Sequence, residues 1–174
     1  MARINVDVVN PFLNAVVEVL STMAQVRAAP GSPYLKQDSS ARGDVSGLIG
    51  ITGEVQGTIA VTFSERCALA IVGNMLGERM TCMDECVIDA VGELTNVISG
   101  KARQGLEQIG QTFSAAIPQV ITGQGHAIVH CGDPVLCLAF TTLYGDIIVE
   151  VAFGDGAAQV SVDGAGPRDK ARAY

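Results

Sequence analysis

Glu93 and Asn96 stand three residues apart in a stretch with helical spacing, which brings their side chains within reach of one small object. A carboxylate can only accept hydrogen bonds, whereas a carboxamide both accepts and donates them without carrying charge. The carboxamide can therefore hold a water in place, which is the chemistry of positioning. At about 100° per residue, Asp89, Glu93, Asn96, Gly100, Arg103 and Glu107 fall within about 40° of one line along the helix. Val87, Val91, Leu94, Ile98 and Ala102 fall on the opposite side and are expected to be buried. Gly100 and Ala102 are expected to keep the surface beyond the pair low enough for another protein to approach. Asp89 is read as solvating the stripe.

Other residue types offer less. His126 and His130 lie four apart in a segment expected to be a strand, on one face but too far apart to share one ion, and no carboxylate is expected to accompany them. The five cysteines (Cys67, Cys82, Cys86, Cys131, Cys137) contain no CxxC and are read as core thiols of a reducing compartment. No phosphate-binding glycine loop followed by Lys-Ser/Thr is present, and two histidines in one segment give no Ser-His-Asp or Cys-His arrangement.

The helix that carries the pair is expected over about 84–109, with Thr81-x-x-Asp84 as a capping box and Gly110 as its stop. A first helix is expected over about 11–26, with Asn10 as cap and Pro11 at its first position. Residues 29–40 read as a loop with a short strand near Tyr34-Leu35, and 44–63 as a hairpin turning at Gly53-Glu54. Ser64 caps a helix over about 65–76 that ends at Gly77. Alternating apolar residues then predict strands at 117–122, 125–131, 134–144 and 146–153. The segment Asn14–Met23 echoes Asp89–Ile98, with Glu18 opposite Glu93 and Ser21 opposite Asn96, which suggests an internal repeat.

With 174 residues, 48% of them apolar and 17% charged, the chain fits one domain with a large core. The domain is expected over 1–153, followed by a Gly- and Ala-rich tail over 154–174. A net charge of −7 with eleven scattered basic residues argues against nucleic acid and against anionic membrane surfaces. No apolar run is long enough for a bilayer span, and no export signal opens the sequence, so a cytoplasmic location is expected.

Asp89-x3-Glu93-x2-Asn96, followed at a distance by Pro118, resembles the signature of the CheC/CheX/FliY family of chemotaxis phosphatases. Glu18 with Thr22-Met23, and the glycine-rich stretch from Gly43 to Gly47 leading into Gly57–Val61, are similar to the CheX branch. The resemblance covers about residues 4–153. It implies a pseudo-symmetric α/β fold of the α+β type, with two long helices packed beside antiparallel strands. It also implies a phosphatase for the phospho-aspartate of a CheY-like response regulator, with Glu93 docking and Asn96 positioning water. No cofactor of the chain's own is implied, only Mg²⁺ on the partner regulator. Because the first helix carries Ser21 where two-site members carry Asn, one site per chain is expected, in a homodimer joined through strand edges. The alternative is a non-catalytic adaptor of the same fold, bound to a regulator or to flagellar or signalling machinery. Pro118 is expected to shape a strand entry, since it has no N–H to donate.

Overall fold

The computed structural model describes residues 6–53 and 56–154. The segment set apart as a tail lies outside these residues except for Gly154, whose N–H donates to Gln56 O at 2.7 Å.

The chain runs α1 (Val6–Met23), β1 (Ala29–Pro30), β2 (Tyr34–Leu35), β3 (Val45–Gly53), β4 (Gly57–Phe63), α2 (Glu65–Leu76), α3 (Glu85–Glu107), β5 (Phe113–Ala115), β6 (Gln119–Thr122), β7 (Val135–Thr142) and β8 (Gly145–Phe153). All strand pairings are antiparallel. The hairpin β3–β4 runs in register from Val45↔Phe63 to Ile51↔Gly57, and β7–β8 from Val135↔Ala152 to Thr142↔Gly145. The two hairpins join at the centre through β4 and β8, with Val61 opposite Val149.

The echo between the two helices extends to the whole chain. Each half is a helix, two short strands and a hairpin. The short strands cross over: β1 and β2 pair with β7 of the second half, while β5 and β6 pair with β3 of the first. The expected pseudo-symmetric α+β architecture is therefore observed.

One face of the sheet (Ile59, Val61, Phe63, Leu138, Phe140, Ile147, Val149 and Val151) shares a core with the apolar sides of the three helices. The other face is covered by two irregular segments, 36–42 and 126–131. They meet at a single bridge, Ser40↔Ala127, held by Ala41 N–H to His126 O and Ile128 N–H to Ser39 O.

Three local expectations are corrected. Pro11 does not open α1, which is already helical at Val6. Pro11 is the sixth helical residue, so α1 forgoes one backbone hydrogen bond in its second turn. Segment 125–131 forms no strand beyond that bridge, although its alternation is real. His126, Ile128 and His130 turn toward the sheet, and Val129 is 81% exposed. A short strand, β5, was not expected at all. Its three residues are too few to show a period.

Candidate active site

Helix α3 begins where Asp84 accepts a hydrogen bond from Val87 N–H at 3.0 Å. Asp84 is thus the cap itself rather than the far partner of a Thr81 box, and its negative charge suits the positive end of the helix. At the other end Gly110 N–H donates to Glu107 O, close to the expected stop.

What fixes the rotation of α3 is its approach to the first hairpin. Thr95 is fully buried and donates to Val91 O at 2.7 Å, lying so close over Gly47 of β3 that no side chain fits there. Gly92 lies against Val120 of β6, where an added Cβ would stand 3.3 Å from Val120 Cγ2. Val87, Val91, Leu94, Ile98, Ala102 and Leu106 complete the buried side. With Gly92 and Thr95 held against the sheet, their neighbours Glu93 and Asn96 point to solvent. Both are exposed, as is Asp89. Neither Glu93 nor Asn96 has a hydrogen bond or ion pair among the described residues. Ala102 is buried, as its place on the apolar side predicts, so it does not lower the outer surface, while Gly100 is partly exposed. Pro118 directly precedes β6, in agreement with a role at the strand entry.

The pseudo-equivalent face of α1 is built differently. Glu18 is exposed but is held by Lys101 of α3, Nζ to Oε1 at 2.6 Å. Ser21, opposite Asn96 in the repeat, offers a short hydroxyl in place of a carboxamide. The helices run antiparallel here, with Pro11 beside Gly105 and Glu18 beside Lys101.

Residues 45–141 match the family model described as chemotaxis phosphatase CheX. The chain belongs to this CheX family. A curated relative from Thermotoga maritima, the CheY-P phosphatase CheX, is 29% identical over 118 residues, 67% of this chain and 76% of that protein. The crystal structure of a chemotaxis protein CheX from Desulfovibrio desulfuricans is 45% identical, covering 85% of this chain and 99% of that one with a TM-score of 0.80. The CheX-CheY-BeF3-Mg+2 complex from Borrelia burgdorferi is 27% identical, covering 88% of this chain and 100% of that one with a TM-score of 0.74.

Elsewhere in this CheX-family chain, a buried polar cluster is satisfied from within the chain. On the sheet face away from the helices, Glu150 is 1% exposed, and Lys36 Nζ reaches both of its carboxylate oxygens at 2.6 Å. His130 Nε2 lies 2.7 Å from Glu150 Oε2, and its Nδ1 lies 2.7 Å from Thr58 Oγ1, which accepts from Cys131 N–H. The arrangement is satisfied with His130 protonated on Nε2 and Thr58 donating to Nδ1. A carboxylate thus does accompany His130, contrary to the sequence reading, because it comes from a distant strand. Burial alone raises the Glu150 pKa, yet the hydrogen bonds of His130 and Lys36 outweigh it and hold the carboxyl below its ordinary value. His126 goes elsewhere, to Ser46 Oγ at 2.7 Å and Gly123 O at 2.6 Å.

Among the described residues no group of His, Cys, Asp and Glu is arranged to hold a metal ion, and no helix is long and apolar enough to cross a membrane. Only Cys67 and Cys137 are buried; Cys82, Cys86 and Cys131 are exposed rather than core thiols. Burial, then the nearby Glu150 carboxylate, pushes the Cys137 thiol up to about 11, far from a thiolate nucleophile at neutral pH. A wide groove along α2, bordered by Arg66, Asn74, Arg79 and Tyr144, includes neither Glu93 nor Asn96.

Proposed function

We propose that this chain is a phosphatase for the aspartyl phosphate of a CheY-like response regulator. Glu93 docks on the regulator and Asn96 positions the attacking water. The observation that carries the reading is an exposed carboxylate and carboxamide, one helical turn apart and without partners of their own, on a helix locked from behind. Membership of the CheX family, the Thermotoga maritima relative and the solved complex with CheY all support it.

The acyl phosphate on the regulator is already labile. In the reaction a water oxygen bonds to phosphorus as the bond from phosphorus to the aspartyl oxygen breaks, releasing inorganic phosphate and a free carboxylate. The barrier depends on in-line placement of the water and on stabilising charge in a loose transition state. The Asn96 carboxamide accepts a hydrogen bond from the water and so aims its lone pair at phosphorus, without carrying charge. Glu93 pairs with the lysine of the regulator's phosphorylation site and so fixes the helix over the phosphoryl group. The divalent cation belongs to the regulator, and the chain needs no cofactor of its own. A hundredfold acceleration corresponds to about 2.7 kcal/mol of transition-state stabilisation, within reach of one well-placed amide.

The setting is cytoplasmic, where response regulators work. A homodimer through strand edges is part of the proposal, supported by β5 and β6 pairing only with β3 and leaving their outer sides without a strand among the described residues. Mixing the purified chain with a phosphorylated regulator and following phosphate release tests the function. A complex that forms without accelerated release makes the chain an adaptor instead.

A further inference from the structure

Helix α3 contains three glycines, Gly92, Gly100 and Gly105. A glycine inside a helix is disfavoured relative to alanine, because its backbone loses more freedom on folding and it has no side chain to pack. At two of these positions the chain itself gives the reason. A Cβ at Gly92 would press on Val120, and one at Gly105 would stand 2.9 Å from Pro11 Cβ in the seam with α1. At Gly100 there is no internal reason, since a Cβ built there meets nothing within 4 Å.

Gly100 lies one turn beyond Asn96 on the same outward line, and it is partly exposed. Two of the long side chains near it are drawn away: Lys101 reaches sideways to Glu18 of α1, and Arg103 Nε lies 3.9 Å from Glu107 Oε1, further along the helix. The result is a bare spot of helix backbone directly beside the proposed water-positioning amide.

We infer that Gly100 is a clearance position for the partner. The response regulator's surface next to its phospho-aspartate descends onto this bare turn, and any side chain there would hold the partner off and lift the phosphoryl group away from Asn96. The inference rests on the phosphatase reading above. Its logic is steric, since one ångström of misplacement in a positioned reaction can cost about 10²-fold in rate.

The test uses the full chain and a purified phosphorylated regulator, with Gly100→Ala and Gly100→Leu measured beside Asn96→Ala. Both substitutions favour the helix. Clearance for a partner predicts a thermal midpoint raised by about 2–4 °C in Gly100→Ala. Dephosphorylation at subsaturating regulator is expected to fall by about tenfold in Gly100→Ala and about 10²-fold in Gly100→Leu. The regulator concentration for half-maximal rate should rise with side-chain size. A lower midpoint in Gly100→Ala overturns the inference, because the glycine then serves the fold. Wild-type rate and half-saturation in Gly100→Leu, alongside an inactive Asn96→Ala, overturn clearance alone. If Asn96→Ala works at the wild-type rate, the phosphatase reading fails, and this inference fails with it.

Discussion

Two carboxylates on opposite sides of the sheet have opposite surroundings. Glu150 is buried and held by Lys36 and His130, with every bond supplied from within the chain. Glu93 is exposed, stands beside Asn96, and has no partner among the described residues. A buried charge must be paired or the fold is lost, so the first cluster is read as structure. An exposed pair with unused bonds, on a helix held rigidly from behind, costs little and is available to another molecule. Unused hydrogen-bonding capacity on a fixed element, rather than the number of polar groups, therefore marks the working face.

The contrast is broken most severely from the buried side. Glu150→Ala leaves the Lys36 ammonium, whose side chain is 8% exposed, without its counter-charge, and is expected to cost about 3–5 kcal/mol of stability in denaturant titration. Well below its midpoint, the variant that is still folded should dephosphorylate the regulator normally. A loss of turnover in that folded fraction would tie the two faces together and undo the comparison.

Asn96→Ala is the mirror experiment. A drop of at least about 10²-fold in phosphate release, worth about 2.7 kcal/mol, is expected, with thermal midpoint and regulator binding almost unchanged. Glu93→Ala should weaken regulator binding by about tenfold, or about 1.4 kcal/mol, and lower turnover with it. Glu18→Ala on the related helix sharpens the point. It removes an exposed ion pair worth about 0–1 kcal/mol and should leave both binding and turnover intact. Equal losses from Glu18 and Glu93 would mean that the two helices act alike.

Acid provides the gentlest probe. Because the Glu150 carboxyl is held below its ordinary value of 4.5 in the folded state, its stabilising contribution is complete above that pH. The contribution is lost as the pH falls through the lowered value. Unfolding free energy measured against pH should therefore decline on the acid side in the native chain, and less steeply in Glu150→Gln. Identical acid slopes in the two proteins would remove Glu150 as the source.

The working face was legible in the sequence because a helix has a simple period. Glu93, Asn96 and the apolar residues opposite them sort themselves at 100° per residue, and the structure needs only Thr95 over Gly47 to set the rotation. Hairpins with glycine turns and alternating residues, such as β7–β8, were equally plain. The buried cluster was not legible. Lys36, His130 and Glu150 are brought together by the crossing of the two halves, and no local pattern signals pairing across 114 residues of sequence. Segment 125–131 misled for a related reason. An extended segment lying flat on a sheet alternates as a strand does, whether or not it joins the ladder. At Pro11 a good capping dipeptide was outweighed by apolar residues on both sides of it, Val9 and Phe12, that the core could bury.

The exchange of short strands between the halves has a consequence for how the molecule comes into being. Each outer strand, β3 or β7, completes its edge with residues borrowed from the other repeat, so neither repeat closes its sheet alone. During synthesis β1 and β2 must wait for β7, and Glu150 arrives last of all to neutralise Lys36. Such long waits favour slow, concerted assembly over stepwise growth from the first repeat. The helix carrying Asn96 packs on α1, β3 and β6, so its rigid backing is synthesised before the hairpin that closes the sheet.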